Sequence, residues 1–290
     1  MADATTTTTQ TAHDVKRQGE QIATNAKFSW LARLGYAARG VVYIVIGGLA
    51  VMAVGGGGGS GQTTGSRGAL QSLVDEPYGQ ALLVALGIGL LAFGIWRAVQ
   101  AIADTDGHGT DGKGVAIRLG FAASAITHAF LAIYAASIAF GWGFGGGGTG
   151  GGGSKQNWSA WLLSQPGGKW LLGIVGLVII SVGVAQIAKG WKEKYQKYLA
   201  MDWRKQKWAD PVCKFGLIAR GAVFAIIGAF VVIAAYQTDP SEVRGLGGAL
   251  RSIQGQAYGT ALLLIVALGL IAFGVYSIIE AIYRRIQEPT

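Results

Sequence analysis

Charge is excluded from six long windows of this chain, and that exclusion limits its fold more than any motif does. The windows run over 40–66, 77–96, 119–154, 170–188, 221–238 and 252–279. Each holds enough apolar residues to cross a hydrocarbon core of about 30 Å, which takes roughly 20 helical residues at about 1.5 Å each. A soluble domain has about a quarter of its residues charged; here the fraction is 13%, and mean hydropathy is +0.40. Lipid is the expected solvent. The fold class is all-α, an integral membrane six-helix bundle, with spans expected near 34–54, 81–103, 119–142, 170–189, 215–236 and 261–283.

The stretch "MADATTTTTQTAHDVKRQGEQ" lacks the basic start and short apolar core of a cleavable signal, so residues 1–26 read as a disordered Thr-rich cytoplasmic tail. Cys213 is the only cysteine, which excludes an intramolecular disulfide and a thiolate metal cluster. The net charge of +9 would suit nucleic acid, but topology accounts for it better. Segments on one side of the six spans (the tail to Arg33, 104–118, 189–214 and the C-terminal end) carry 16 Lys and Arg, and the alternate connections carry 5. By the positive-inside rule both termini lie in the cytoplasm, and nucleic acid is not an expected partner. The alternate connections include "GGGGGSGQTTGS" (55–66) and "GGGGTGGGGS" (145–154), read as flexible spacers.

Internal similarity is strong. "GALQSLVDEPYGQALL" (68–83) returns as "GALRSIQGQAYGTALL" (248–263), and "IGLLAFG" (88–94) as "LGLIAFG" (268–274). "LGYAARGVVY" (34–43) matches "FGLIARGAVF" (215–224), with "LGFAASAITH" (119–128) as a divergent middle copy. The chain is thus a two-helix hairpin made three times, over 27–104, 112–190 and 212–286, with 191–211 joining the last two. An even number of crossings inserts each copy the same way up, predicting pseudo-three-fold symmetry about the membrane normal. Small residues recur seven apart in every span: Gly40 and Gly47, Gly87 and Gly94, Ala125 and Ala132, Gly176 and Gly183, Gly221 and Gly228, Ala267 and Gly274. Each pair lies on one stripe, where close backbone approach drives helix association in lipid.

Three tandem copies of a "LGYAARGVVY" helix followed by "YGQALL" and "GLLAFGIWRAVQA" resemble the bacterial membrane proteins of domain-of-unknown-function family 1206, from Ala26 to Arg285. The resemblance implies six helices in three repeats, in a bacterial inner membrane, and implies no activity. The middle copy departs at Ser124, where the others have Arg39 and Arg220.

Ionisable side chains inside spans are functional candidates. Aligning the repeats makes Arg39, Ser124 and Arg220 equivalent, as are Arg97, Gln186 and Ser277, and Gln100, Lys189 and Glu280. All fall at the cytoplasmic ends, with His128 one turn deeper. In one reading Arg39 and Arg97 snorkel to the headgroups and Glu280 pairs with Arg220 or Arg39. In the other, Arg39, Arg97, Arg220 and Lys189 face the pseudo-axis against the single carboxylate of Glu280, an excess suited to an anion or a lipid phosphate. His128 is a proton relay or a hydrogen-bonded structural histidine.

The segment "GWKEKYQKYLAMDWRKQKWADP" (190–211) places Trp191, Tyr195, Tyr198 and Met201 on one helical face among Lys192, Lys194 and Lys197, as a membrane-interface anchor ending at Pro211. No nucleophile elbow, zinc-protease motif, dinucleotide fingerprint or cysteine pair occurs. No cofactor or metal is expected, and the protein is not expected to be an enzyme. "DTDGHGTDGKG" (104–114) has spaced aspartates but lacks the final Glu of a calcium loop. Two functions are consistent with these residues. One is a structural or accessory protein that interacts with lipid, anionic lipid included, or with an unidentified membrane-protein partner; the other is a carrier or channel for an anion or small solute, with its site near the cytoplasmic end of the pseudo-axis.

Overall fold

A computed structural model describes residues 26–54, 66–74, 77–142 and 159–285, with side chains from residue 29 onward. Residues 1–25 of the tail, 55–65 of the first glycine-rich spacer and all of the second, 145–154, lie outside the described residues. The elements are α1 (Ala26–Val54), α2 (Ser66–Gln71), α3 (Gly79–Ala103), α4 (Gly112–Phe140), α5 (Gly168–Trp191), α6 (Trp203–Gln237), α7 (Leu246–Gln254) and α8 (Gly259–Tyr283), with a short helical stretch over 159–163. Six of them, α1, α3, α4, α5, α6 and α8, are long and apolar enough to cross a membrane. No strand occurs among the described residues; the nearest approach is a single antiparallel bridge between Leu199 and Arg284.

The small-residue stripes work between repeats rather than within them. A Cβ on Gly94 would come within 3.2 Å of the Ala125 carbonyl oxygen, and one on Gly87 within 3.5 Å of Ala135. A Cβ on Gly183 would fall 2.6 Å from the Gly221 carbonyl oxygen, one on Gly176 3.0 Å from that of Gly228, one on Gly274 2.7 Å from that of Gly40 and one on Gly47 2.7 Å from that of Ala267. So α3 zips onto α4, α5 onto α6, and α8 onto α1. With lipid on the outside there is no hydrophobic gain in bringing helices together, and backbone proximity supplies the attraction instead. Each junction also carries a cation reaching back to the preceding span. Arg33 donates to the carbonyls of Ala281, at 3.1 Å, and Ile282; Arg118 donates to those of Ala101 and Ile102 at 2.8 and 2.9 Å. Lys214, at the equivalent position of α6, pairs with Glu193 just past α5 at 3.3 Å. The last carbonyls of a helix lack intrahelical partners and carry the negative end of its dipole, so cations belong there.

Within repeats, contact is selective. In the first, a Cβ on Gly35 would come within 2.6 Å of Phe93, and one on Gly89 within 2.4 Å of Ala38. In the third, a Cβ on Gly216 would come within 2.4 Å of Phe273 and one on Gly269 within 2.1 Å of Ala219. In the middle repeat the corresponding residues are Gly120, Val182 and Val178. Gly120 faces open space, both valines are exposed, and α4 and α5 do not form a packed pair among the described residues.

The expectation of a helix over 190–211 stopped by Pro211 is corrected. The chain turns at 192–195, with Glu193 in the left-handed region (φ 51°), makes a 3-10 turn at Gln196–Tyr198, and enters α6 already at Trp203. Pro211 is exposed inside that helix. The Lys207 carbonyl that it leaves unpaired belongs to an exposed stretch, where solvent can satisfy it.

Candidate functional site

All six spans contribute a residue to one cavity of about 400 Å³ at the end of the bundle that carries the 104–111 and 192–202 connections: Arg39 from α1, Arg97 from α3, Phe121 from α4, Lys189 from α5, Arg220 from α6 and Glu280 from α8. Of the nine polar positions aligned from the repeats, Arg39, Arg97, Gln186, Lys189, Arg220 and Glu280 line this cavity; Ser124, Gln100 and Ser277 do not. Arg284, just past α8, and Asp106, in the 104–111 connection, complete the charged wall.

Its charges divide into two sets. One is neutralised. Arg39, only 6% exposed, donates from Nη2 to Glu280 at 2.6 Å and from Nε to Ser277 at 3.1 Å. Arg284 donates to the other Glu280 oxygen at 2.8 Å and to Asp106 at 3.3 Å, while Gln100 donates to Asp106 at 2.8 Å. Glu280 is thus shared by two guanidiniums, which offsets the cost of burying it. The snorkelling expectation for Arg39 does not hold, because its guanidinium lies inside the bundle between Phe93 and Phe273, 4.8 and 5.2 Å from their centroids. The negative ring faces favour a cation there.

The second set meets only neutral partners among the described residues. Arg97 donates to the Gln100 side-chain oxygen at 3.1 Å, and its Nε is buried with no partner among the described residues. Arg220 donates to Tyr43 at 2.9 Å and to Gln186. Lys189 donates to the Tyr276 hydroxyl at 3.2 Å. Aromatic rings hold these cations too: Arg97 lies 4.9 Å from both Phe93 and Phe121, and Arg220 4.5 Å from both Phe224 and Phe273. With Lys113, Lys194 and Lys197 the cations of the two sets make eight Lys and Arg lining the cavity against the two carboxylates of Asp106 and Glu280, an excess of six positive charges.

His128 stands apart from the cavity wall. Its Nδ1–H donates to the Ser124 carbonyl at 2.7 Å and its ring sits edge-on to Phe93, so it acts as a packed hydrogen-bonded residue. Among the interface anchors, Trp191, Lys192, Lys194 and Lys197 are exposed, and Lys194 and Lys197 stand at the cavity mouth. Tyr195 is corrected: it is fully buried with Leu199, Cys213, Leu217, Phe273 and Tyr276, donating to Asp210 at 3.1 Å. Burial first, then nearby Asp210, pushes its hydroxyl pKa well above the ordinary tyrosine value. Tyr198 is half-buried beside Lys189, Lys197 and Arg284 rather than laid on a surface. This segment turns under the bundle because 198–200 pairs with 283–285: Ala200 N–H donates to Tyr283 at 2.7 Å and Arg285 N–H to Tyr198 at 2.8 Å. The aspartates of the 104–114 loop are engaged, Asp104 with the His108 and Gly109 amides, Asp111 as the cap of α4 and Asp106 with Arg284.

Sequence reasoning missed Arg284 and Asp106. Arg284 reads as one more basic residue flanking a span, and only the fold brings the 104–111 loop against it.

The bundle and its shared cationic cavity define a polytopic, all-helical membrane protein. The chain belongs to the family described as Domain of Unknown Function (DUF1206), which matches it three times, over 34–104, 119–193 and 215–284. It is 39% identical over 259 residues to "Uncharacterized protein YxxB" of Bacillus subtilis (strain 168), covering 87% of this chain and 90% of that protein. No solved structure matches it.

Proposed function

We propose that this protein binds an oxyanion inside the membrane, as a small-solute or anion carrier or channel whose site is the cationic cavity. The observation that carries this reading is the unneutralised set: Arg97, Lys189 and Arg220 line one cavity with neutral partners only among the described residues. Buried charge is expensive unless it is matched, and an incoming phosphate or carboxylate would match it through forked guanidinium donors. The excess of basic residues at this end supports a mouth that opens to the cytoplasm of a bacterial membrane. The accessory reading needs Arg39 and Arg97 turned to the headgroups, and the burial of Arg39 weighs against it.

The test is equilibrium binding of inorganic phosphate to the purified protein, together with phosphate flux in proteoliposomes. Arg97→Gln with Arg220→Gln should weaken binding by at least about tenfold, the effect of losing one charge-assisted contact, and reduce any flux to that of empty liposomes. Absence of phosphate binding to the wild-type protein, or unchanged binding by the double variant, overturns the reading.

A further inference from the structure

We infer that the oxyanion is the headgroup of an anionic phospholipid that enters sideways from the bilayer, between α4 and α5. This rests on the cavity being an oxyanion site and adds the class of ligand and its route.

The cavity wall is unevenly closed. The α1–α3 and α6–α8 sides are sealed by Gly35 and Gly89 against Phe93 and Ala38, and by Gly216 and Gly269 against Phe273 and Ala219. Both α4 and α5 line the cavity, through Lys113, Phe121, Gln186 and Lys189, but they are not packed on each other. At 100° per residue, Gly120, Ser124 and Thr127 share one face of α4, and Val178, Val182 and Lys189 share one face of α5. These are the faces that seal the other two repeats. Here Val178 and Val182 are 56% and 42% exposed, and Gly120 has open space where a side chain would begin.

That slot has an order along the membrane normal. Rising about 1.5 Å per residue from Lys189, α5 presents Val182 roughly 10 Å and Val178 roughly 16 Å deeper, about half the thickness of the hydrocarbon core. The sequence of surfaces is therefore cation at headgroup depth, then apolar side chains to the bilayer midplane. A phospholipid has that order. The size agrees as well: about 400 Å³ suits a headgroup but has no room for two acyl chains, so the chains must lie in the slot. A free anion needs only the aqueous mouth and leaves the lateral opening without use.

The experiment compares two ligands on the full chain. In nanodiscs of phosphatidylcholine doped with phosphatidylglycerol, native mass spectrometry reads how strongly the anionic lipid is retained; in detergent, calorimetry reads binding of inorganic phosphate. Wild-type protein should retain phosphatidylglycerol at least about tenfold over its share of the bilayer. Gly120→Trp, which fills the slot from α4, should remove that enrichment and leave phosphate affinity unchanged. Val178→Trp fills it from α5 and must act alike, so a folding defect in one variant does not decide the result. Arg97→Gln with Arg220→Gln should lose both ligands, separating the cavity from lipid gathered by the exposed Lys192 and Lys194. Phosphate binding without lipid enrichment, or enrichment unaffected by both tryptophans, overturns the lateral route and leaves the anion site standing. A stoichiometric second protein occupying the slot also overturns it. Loss of both ligands in the wild type overturns the site itself.

Discussion

The first and third repeats differ from the middle one in a single correlated respect. In the outer repeats the first span of the hairpin offers a glycine and an arginine, and the second answers with a glycine and a phenylalanine: Gly35, Arg39, Gly89 and Phe93 in one, Gly216, Arg220, Gly269 and Phe273 in the other. Each arginine lies over the phenylalanine of its own repeat. The middle repeat has Gly120, Ser124, Val178 and Val182, and its two spans do not form a packed pair among the described residues. The zippers between repeats are nonetheless present at all three junctions. The comparison separates two jobs that a helical hairpin is usually assumed to do at once. Junctions between repeats assemble the bundle, and packing within a repeat decides whether the wall there is sealed.

If that separation is right, the most damaging change lies where the outer repeats lock to each other. Glu280→Ala removes the carboxylate shared by Arg39 and Arg284, leaving the buried Arg39 guanidinium without a carboxylate partner and Arg284 with Asp106 alone. Breaking a buried pair in this way costs about 3–5 kcal/mol. Thermal unfolding in detergent should show a large drop in Tm, and a variant as stable as the wild type would remove the ion pair from the account of assembly.

A pair of glycine substitutions sharpens the comparison. Gly274→Leu places side-chain atoms against Ile44 and the Gly40 backbone, both under 3 Å from a Cβ there. Overpacking of this kind costs about 1–3 kcal/mol, and backbone atoms cannot give way as a side chain can. A Cβ at Gly120 meets nothing within 4 Å among the described residues, which leaves room for Gly120→Leu to begin its side chain. Its effect on Tm should be close to zero, or slightly stabilising through better helix propensity. Equal destabilisation by the two would mean that α4 and α5 are packed in solution and that the middle repeat resembles the others.

How much of this was legible in the sequence depends on distance along the chain. Spans and repeats are local patterns of charge and period, and they read directly; the small residues seven apart marked the contacting stripes. Their partners were not legible, because a stripe on Gly87 and Gly94 says that something approaches closely without saying that it is α4 rather than α1. Alignment of the repeats placed Arg39, Arg97, Arg220, Lys189 and Glu280 at one depth, but depth is not direction. Arg39 could equally have snorkelled until its partners Ser277 and Glu280, more than two hundred residues away, were seen beside it. Tyr195 misled for a related reason. Its spacing from Trp191 and Tyr198 suits a surface helix, but the pairing of 198–200 with 283–285 bends the chain and turns the ring inward.

The smallest effect concerns the far end of the bundle, where the comparison runs the other way. Each even span is entered through a residue in the left-handed region followed by a glycine: Tyr78 and Gly79, Gly167 and Gly168, Tyr258 and Gly259. The second glycine is required in all three, since a Cβ there would fall within about 2 Å of a carbonyl oxygen of the preceding turn, at 1.9 Å for Gly79, 1.7 Å for Gly168 and 2.1 Å for Gly259. At the first position only the middle repeat has the residue suited to φ near +77°, while Tyr78 and Tyr258 hold φ of 65° and 61° with their rings exposed. Left-handed backbone costs a side-chain-bearing residue roughly 1–2 kcal/mol, and glycine returns up to about 1 kcal/mol of that as unfolded-chain entropy. Tyr258→Gly should therefore raise Tm slightly, and Gly167→Tyr lower it slightly. The sign has a second meaning, because exposed tyrosines at a span entrance suit the headgroup layer. If Tyr258→Gly stabilises the protein in detergent but weakens it in nanodiscs, the outer repeats accept backbone strain in exchange for anchoring.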